Sequence, residues 1–302
     1  MDLLADLRAE ILKYLPTPDE DASQWLNSMP TERLLDGFLT LRGRVPHPHP
    51  RSLFIAPELI QNPQFTACSR EIGLVWDKIV QGGDVTPHLS RRLRFSYLPG
   101  HLQDVRRLRN VDLLLSEWNV HYLHISSVIG PDGYVARGNP LLFAIFTDSN
   151  AYFLDVAAST AWSLQRLVEI AVANWPDDEL FHKLIGGGPE RPPAGKDRAR
   201  RRKAMDNYVL VNKVAYVSNH FGQAAEVTSP RIVVLRLKLL GLLKYFSDDP
   251  TALERECNAA NARFGVEWPL IPQFRLVIAR TARAFEFVIL EERTRLMMAL
   301  DV

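Results

Sequence analysis

Val120-His121-Tyr122-Leu123-His124-Ile125, Leu141-Leu142-Phe143-Ala144-Ile145-Phe146-Thr147 and Ala151-Tyr152-Phe153-Leu154-Asp155-Val156 are three short runs rich in β-branched, aromatic and aliphatic residues. Each has strand length, and the second and third are joined by Asp148-Ser149-Asn150, a turn composition. The spacing predicts an antiparallel β-meander of three strands. Alternation along the first run puts Tyr122 and His124 on one face and His121 with Leu123 on the other.

The chain before the meander reads as helix. Leu3, Leu4, Leu7, Ile11, Leu12 and Leu15 recur at helical spacing up to Pro16. Thr31 can cap a second helix over 31–41, with Leu34, Leu35, Phe38 and Leu39 as its apolar stripe. Further helices are expected over 65–81, closed by Gly82-Gly83, and over 104–118. Between them Pro46-His47-Pro48-His49-Pro50 is an extended connector, because alternate residues lack an amide donor and fix φ. After the meander a helix over 162–173 ends at the Trp175-Pro176 step.

Gly186-Gly187-Gly188-Pro189 and Arg191-Pro192-Pro193 then lead into Arg198-Ala199-Arg200-Arg201-Arg202-Lys203, a basic linker. Beyond it two short strands over 208–212 and 214–218 are expected, then an apolar helix from Pro230 to about 246 and another containing Cys257. A hairpin of 274–279 with 285–290 and a last helix over 291–300 complete the reading. The fold class is α+β, divided as a helical region 1–118, a meander-plus-helix core 119–185, a linker 186–204 and an α+β region 205–302.

Composition bounds the function classes. The 302 residues are 47% hydrophobic and 24% charged, values of a globular chain with a sizeable core. Lys and Arg total 36 against 35 for Asp and Glu, so no global field favours nucleic acid and a local patch would have to do so. Cys68 and Cys257 form neither a metal spacing nor a disulfide framework. The start, Met1-Asp2-Leu3-Leu4-Ala5-Asp6, lacks the basic region of a secretory signal, and no apolar run reaches ~18–20 residues. A cytoplasmic, membrane-free location is the expectation.

Chemistry centres on the first strand. Histidine moves protons near neutral pH, so His124 can take a proton from a ribose 2′-hydroxyl or give one to a leaving oxygen, with His121 assisting. Tyr122, on the same face as His124, can orient a phosphate or stack on a base. Arg137 is the nearest cation for the charge of a phosphorane-like transition state. Arg198, Arg200, Arg201, Arg202 and Lys203 are candidate phosphate contacts. His47 and His49 form an HxH pair with no further ligand motif.

The strings HYLHIS (121–126), ARGNPLLFAIFTDSNAYFLDV (136–156) and NWP (174–176) resemble the RelE/barnase-type endoribonuclease fold. They are also similar to bacterial toxin or phage-defence proteins with a GIHHLHLG…R…LLFA pattern. The resemblance covers about residues 84–180. It implies a metal-independent RNA-cleaving toxin or defence enzyme without cofactor, acting on RNA and meeting an antitoxin or defence-complex partner. Tyr122 stands for the pattern's middle histidine and Asn119 for its glycine. Ala157-Ala158-Ser159 follows Val156 where the pattern often has a further histidine. A non-catalytic protein- or nucleic-acid-binding subunit of a defence complex is the alternative. A DNA-binding regulator rests only on the arginine run.

Overall fold

Apolar residues at positions 3, 7 and 11 set the first helix, and what its polar residues do at positions 6, 10 and 14 sets the sheet beside it. The computed structural model describes residues 2–17, 20–95, 112–159, 163–184, 208–218, 230–264, 272–281, 285–295 and 297–300. In chain order the elements used below are α1 (Leu3–Tyr14), α2 (Glu20–Ser28), α3 (Thr31–Arg44), β1 (Ser52–Ile55), α4 (Pro57–Ile60), α5 (Pro63–Ala67), α6 (Ser69–Val80), α7 (Leu113–Trp118), β2 (His121–His124), β3 (Leu141–Phe146), β4 (Asn150–Ala157), α8 (Leu164–Asn174), β5 (Phe181–Lys183), β6 (Val209–Val211), β7 (Val214–Ser218), α9 (Pro230–Asp248), α10 (Pro250–Phe264), β8 (Phe274–Arg280), β9 (Phe285–Glu291) and β10 (Met297–Ala299). The class is α+β, as the sequence indicates.

The chain forms two compact units, Met1–Thr40 with Pro230–Val302, and Leu41–Ser229. The sequence reading instead drew its divisions at 118 and at the basic linker.

In the first unit β8, β9 and β10 form an antiparallel sheet in the order β10-β9-β8. Leu3, Leu7 and Ile11 bury one face of α1. Its Asp6, Glu10 and Tyr14 follow one another four residues apart along β8. Asp6 accepts the Leu276 amide at 3.1 Å, Glu10 the Ile278 amide at 3.5 Å, and the Tyr14 hydroxyl donates to the Ile278 carbonyl at 3.0 Å. Four helical residues rise ~6.0 Å and two strand residues ~6.8 Å, so the step from Asp6 to Glu10 nearly matches that from Leu276 to Ile278. The helix thus satisfies backbone groups that an open sheet edge would leave exposed. Tyr14, Phe38, Phe285 and Phe287 pack edge-on beneath it.

The expected last helix over 291–300 is corrected by the structure. Glu291 ends β9 and accepts from the amides of Arg293 and Thr294, turning the chain back so that Met297, Met298 and Ala299 pair with Leu290, Ile289 and Val288. Pairing beside β9 overrides the weak helical periodicity of so short a segment.

In the second unit the three expected strands pair as a meander, β2 to β3 to β4. A fourth strand, β1, lies parallel to β4 on its far side, giving the order β1-β4-β3-β2. Arg51 ties the proline connector to this sheet: its Nε donates to the Thr147 carbonyl at 2.9 Å and an Nη to the His47 carbonyl at 2.8 Å. Every residue of β3 is buried, as expected of a strand covered on both faces. The expected 65–81 helix is two pieces, α5 capped by Asn62 and α6 starting at Ser69.

The β3–β4 register slips between Phe143 and Ala144, which oppose Asp155 and Phe153, leaving Leu154 unopposed. Such a bulge changes which face later residues occupy. Asp155 therefore joins Tyr122 and Phe143 on one face, while Phe153 joins His121 and Ala144 on the other. A smaller sheet, β5-β7-β6, completes the unit. Asn212 and Lys213, both at positive φ, form the two-residue turn between β6 and β7.

Asp36 is fully buried and paired with Arg236 at 2.5 Å, whereas Arg255 and Asp249 pair at the surface. Removing one partner of a buried pair costs about 3–5 kcal/mol. Arg236→Ala is expected to lower the free energy of urea unfolding by roughly 3 kcal/mol, and Arg255→Ala to leave the midpoint in place. Equal effects from the two variants would contradict the ranking.

Candidate active site

The strand that carries the histidines is entered through an unusual residue. Asn119 ends α7 in the left-handed conformation at φ 54°, and its amide closes the helix on the Leu115 carbonyl. Asparagine tolerates this conformation better than most residues, so it does here what a glycine commonly does. The chain leaves in β2, an edge strand.

Alternation then separates the two histidines. His121 is buried, its Nε2 is 2.8 Å from the Arg44 carbonyl, and its ring meets Phe146 edge-on at 5.1 Å. Tyr122 and His124 are half-buried on the opposite face, with ring centroids 6.0 Å apart and nearly perpendicular. Arg137 is exposed in the β2–β3 loop, and its charge acts on both Tyr122 and His124. Tyr122 and His124 therefore share a face within reach of the Arg137 charge, and His121 lies on the other. Arg198, Arg200, Arg201, Arg202 and Lys203 lie outside the described residues.

The segment before the site supplies groups that the sequence reading missed. The Ser90 Oγ lies 2.5 Å from the Tyr122 hydroxyl and also accepts the Arg92 amide at 3.2 Å. Asp112, whose charge acts on the phenol, caps α7 by accepting the Leu115 amide on Oδ1 at 3.1 Å. His88 places Nδ1 at 2.8 Å from the His124 carbonyl and Nε2 at 3.1 Å from Lys78 Nζ. A carbonyl only accepts and an ammonium only donates. His88 is therefore the neutral tautomer with its proton on Nδ1, and it holds the end of β2 in place. The density of polar and basic residues in 86–94, interrupted by Leu89 and Leu93, was the available signal.

The electrostatics push the neighbouring groups in different directions. Burial, then Arg137, Arg91 and His88, hold the His124 imidazole below its ordinary value, against a hydrogen bond to the Gly138 backbone. Burial also lowers His88, and Lys78 lowers it further. Burial first, and the Asp112 charge second, raise the Tyr122 phenol, against Ser90, Arg92 and Arg137. The His124 Nδ1 is buried and makes no hydrogen bond among the described residues. A buried polar atom without a partner costs about 1–3 kcal/mol and calls for an explanation.

Asp155, on the same sheet face beyond the fully buried Phe143, has a different task. It accepts from Asn62 Nδ2 at 2.8 Å, its neighbour's Val156 amide at 2.9 Å and Arg166 Nε at 2.6 Å. These bonds tie β4 to the residue that caps α5 and to α8. A cavity of about 220 Å³ opens beside them, lined by Asn62, Gln64, Phe143, Asp155, Ser163 and Arg166 among others.

Comparison with family models, curated proteins and solved structures found no match. Among the described residues no three His, Cys, Asp or Glu side chains gather as a metal site would need. Nor is any described helix long and apolar enough to cross a membrane. His47 and His49 are neighbours, and His49 Nε2 is bonded to the Asp148 carbonyl, so the pair braces the connector.

A histidine held below its ordinary value binds its proton more weakly in the folded protein than in the unfolded chain. In the window from about pH 6.5 down to the folded value, the unfolded chain carries more protons, and stability falls as pH falls. Unfolding free energy is expected to decline between pH 7.5 and 5.5, and less steeply in His88→Gln/His124→Gln. Identical slopes would contradict the neutral assignment of both rings.

Proposed function

We propose that Tyr122, His124 and Arg137 form the centre of a metal-independent endoribonuclease of the toxin or antiphage-defence kind. The observation that supports this most is the pairing of two titratable groups on one strand face, one pushed down and one pushed up. Such divergence marks base and acid. The His124 ring is held below its ordinary value and is neutral at physiological pH, so it is the base for a ribose 2′-hydroxyl. Tyr122 stays protonated and is the acid for the leaving 5′-oxygen. Arg137, with Arg91 and Arg92, whose charges also reach this face, offsets the charge of the transferring phosphate. Attack of the 2′-oxygen on phosphorus leaves a 2′,3′-cyclic phosphate and a free 5′-hydroxyl.

This is a cytoplasmic task, and a toxin of this kind needs an antitoxin or a defence-complex partner to restrain it. The competing reading is a non-catalytic RNA- or protein-binding subunit. It draws on Ala157, which lies next to the His124 row, opposite Leu141, at the end of the strand where the resembled pattern supplies another histidine.

Purified protein is expected to cut a single-stranded RNA oligonucleotide in the presence of a chelator and to leave the all-deoxy version intact. His124→Ala and Tyr122→Phe should each lower the rate about 10²–10⁴-fold, and His121→Phe should change it far less. The rate should rise with pH as the His124 proton is lost, below about pH 6.5. An unchanged rate in His124→Ala overturns the assignment, and RNA binding without cleavage favours the non-catalytic subunit.

A further inference from the structure

The cavity beside Asp155 is lined by groups whose hydrogen bonds are only partly used. Asp155 itself is buried and takes three, from Asn62 Nδ2, the Val156 amide and Arg166 Nε. The last of these, at 2.6 Å, fixes one edge of the Arg166 guanidinium. Its Nη1 and Nη2 make no hydrogen bond among the described residues. Ser163 Oγ accepts the Arg166 amide and keeps its own proton to give. Gln64 is held through its backbone amide by Asn62 Oδ1, and its side-chain amide is uncommitted among the described residues. The lining is therefore rich in donors, with Phe143, Ala157 and Leu167 as its apolar surface. At about 220 Å³ it is smaller than the ~300–1,000 Å³ of drug-sized ligand sites, so it admits one ring system rather than a whole nucleotide.

Charge and shape narrow the ligand. The carboxylates of Asp155, Glu58 and Glu169 all act on the one guanidinium, so a phosphate or carboxylate ligand is disfavoured and a neutral one fits. An arginine fork gives parallel N–H groups to two adjacent acceptors in one plane. Guanine offers such a pair in O6 and N7, and cytosine offers O2 and N3. Adenine sets its N6 amino group beside N7, and uracil sets N3–H between its carbonyls, so each turns a donor towards the fork.

We propose that this cavity is a nucleobase subsite selective for guanine and cytosine, in which Arg166, held by Asp155, reads the edge that carries two acceptors. The proposal rests on the endoribonuclease reading for the claim that the base belongs to the RNA being cut, and on the cavity alone for the selectivity. The sheet relates the two places. Asp155 stands in the row of Tyr122 and Phe143, and Ala157 in the row of His124 and Leu141. Two strand spacings, ~9.6 Å, separate these residues from the reacting pair. A base in the cavity therefore belongs to a nucleotide adjoining the cleaved linkage. Asp155 is a positioning residue here, and Arg166 is the one that touches the base.

The test is equilibrium dialysis of the full chain against guanosine, cytidine, adenosine and uridine, beside cleavage of deoxy strands that hold a single ribose linkage and differ only in the adjoining base. Guanosine and cytidine should bind roughly 10–100-fold more tightly than the other two. Arg166→Lys keeps a cation for Asp155 but loses the fork, and should remove that preference. Ala157→Leu fills part of the cavity, leaves the Asp155–Arg166 pair in place, and should weaken binding of all four. Circular dichroism confirms that both variants are folded. Equal binding of the four nucleosides, no saturable binding of any, or a preference kept in Arg166→Lys overturns the subsite even where RNA is still cut. The expected preference in a protein that cuts no RNA upholds the subsite and removes the endoribonuclease reading instead.

Discussion

The register in which residues 121–124 pair with 141–144 is the constraint on which the site depends. His121 lies opposite Ala144 and Tyr122 opposite Phe143. A slip of one residue would turn every side chain of β2 to the other face, placing Tyr122 and His124 in the core and His121 beside Arg137. Several features hold the register. Leu123 and Leu142, opposite each other, are both fully buried, and each such side chain contributes about 1.5–3 kcal/mol. His121 fixes the inner face through the Arg44 carbonyl, and His88 fixes the outer end through the His124 carbonyl. The two histidines that look alike in sequence thus do opposite work: one anchors the strand, the other is presented by it.

The bulge in β3–β4 extends this logic across the sheet. Without it, Asp155 would share the face of Phe153 and His121. With it, Asp155 stands two strands from Tyr122, where Asn62 and Arg166 neutralise and satisfy it. The face therefore presents cations and neutral rings, with its carboxylates either buried, as Asp112 is, or paired, as Asp132 is with Arg91 at 2.6 Å.

Much of this was legible before any coordinates. The three meander strands announce themselves because they are buried runs bounded by turn residues, and the period of two separates Tyr122 and His124 from His121 without further information. The parallel strand β1 was not legible: Ser52–Ile55 is four residues long and follows a proline connector, and its pairing with β4 is non-local. The last strand was misread because 291–300 carries helix formers, and only its partner β9 decides otherwise. The same limit applies at the site. His88 is 36 residues from His124 and Ser90 is 32 from Tyr122, and no local pattern connects them. Residues close in sequence were found, and residues brought close by folding were not.

The most direct measurement is nitrogen-resolved NMR of the histidine rings, titrated with an RNA oligonucleotide made non-cleavable by a 2′-deoxy residue. At pH 7 the His124 ring is expected to show one protonated nitrogen and one free lone pair. Its signals and those of Tyr122 and Arg137 should move saturably with the oligonucleotide, while those of His121 stay in place. A charged His124 ring at pH 7, or ligand shifts at His121 without any at His124, would contradict the assignment of this strand face as the site.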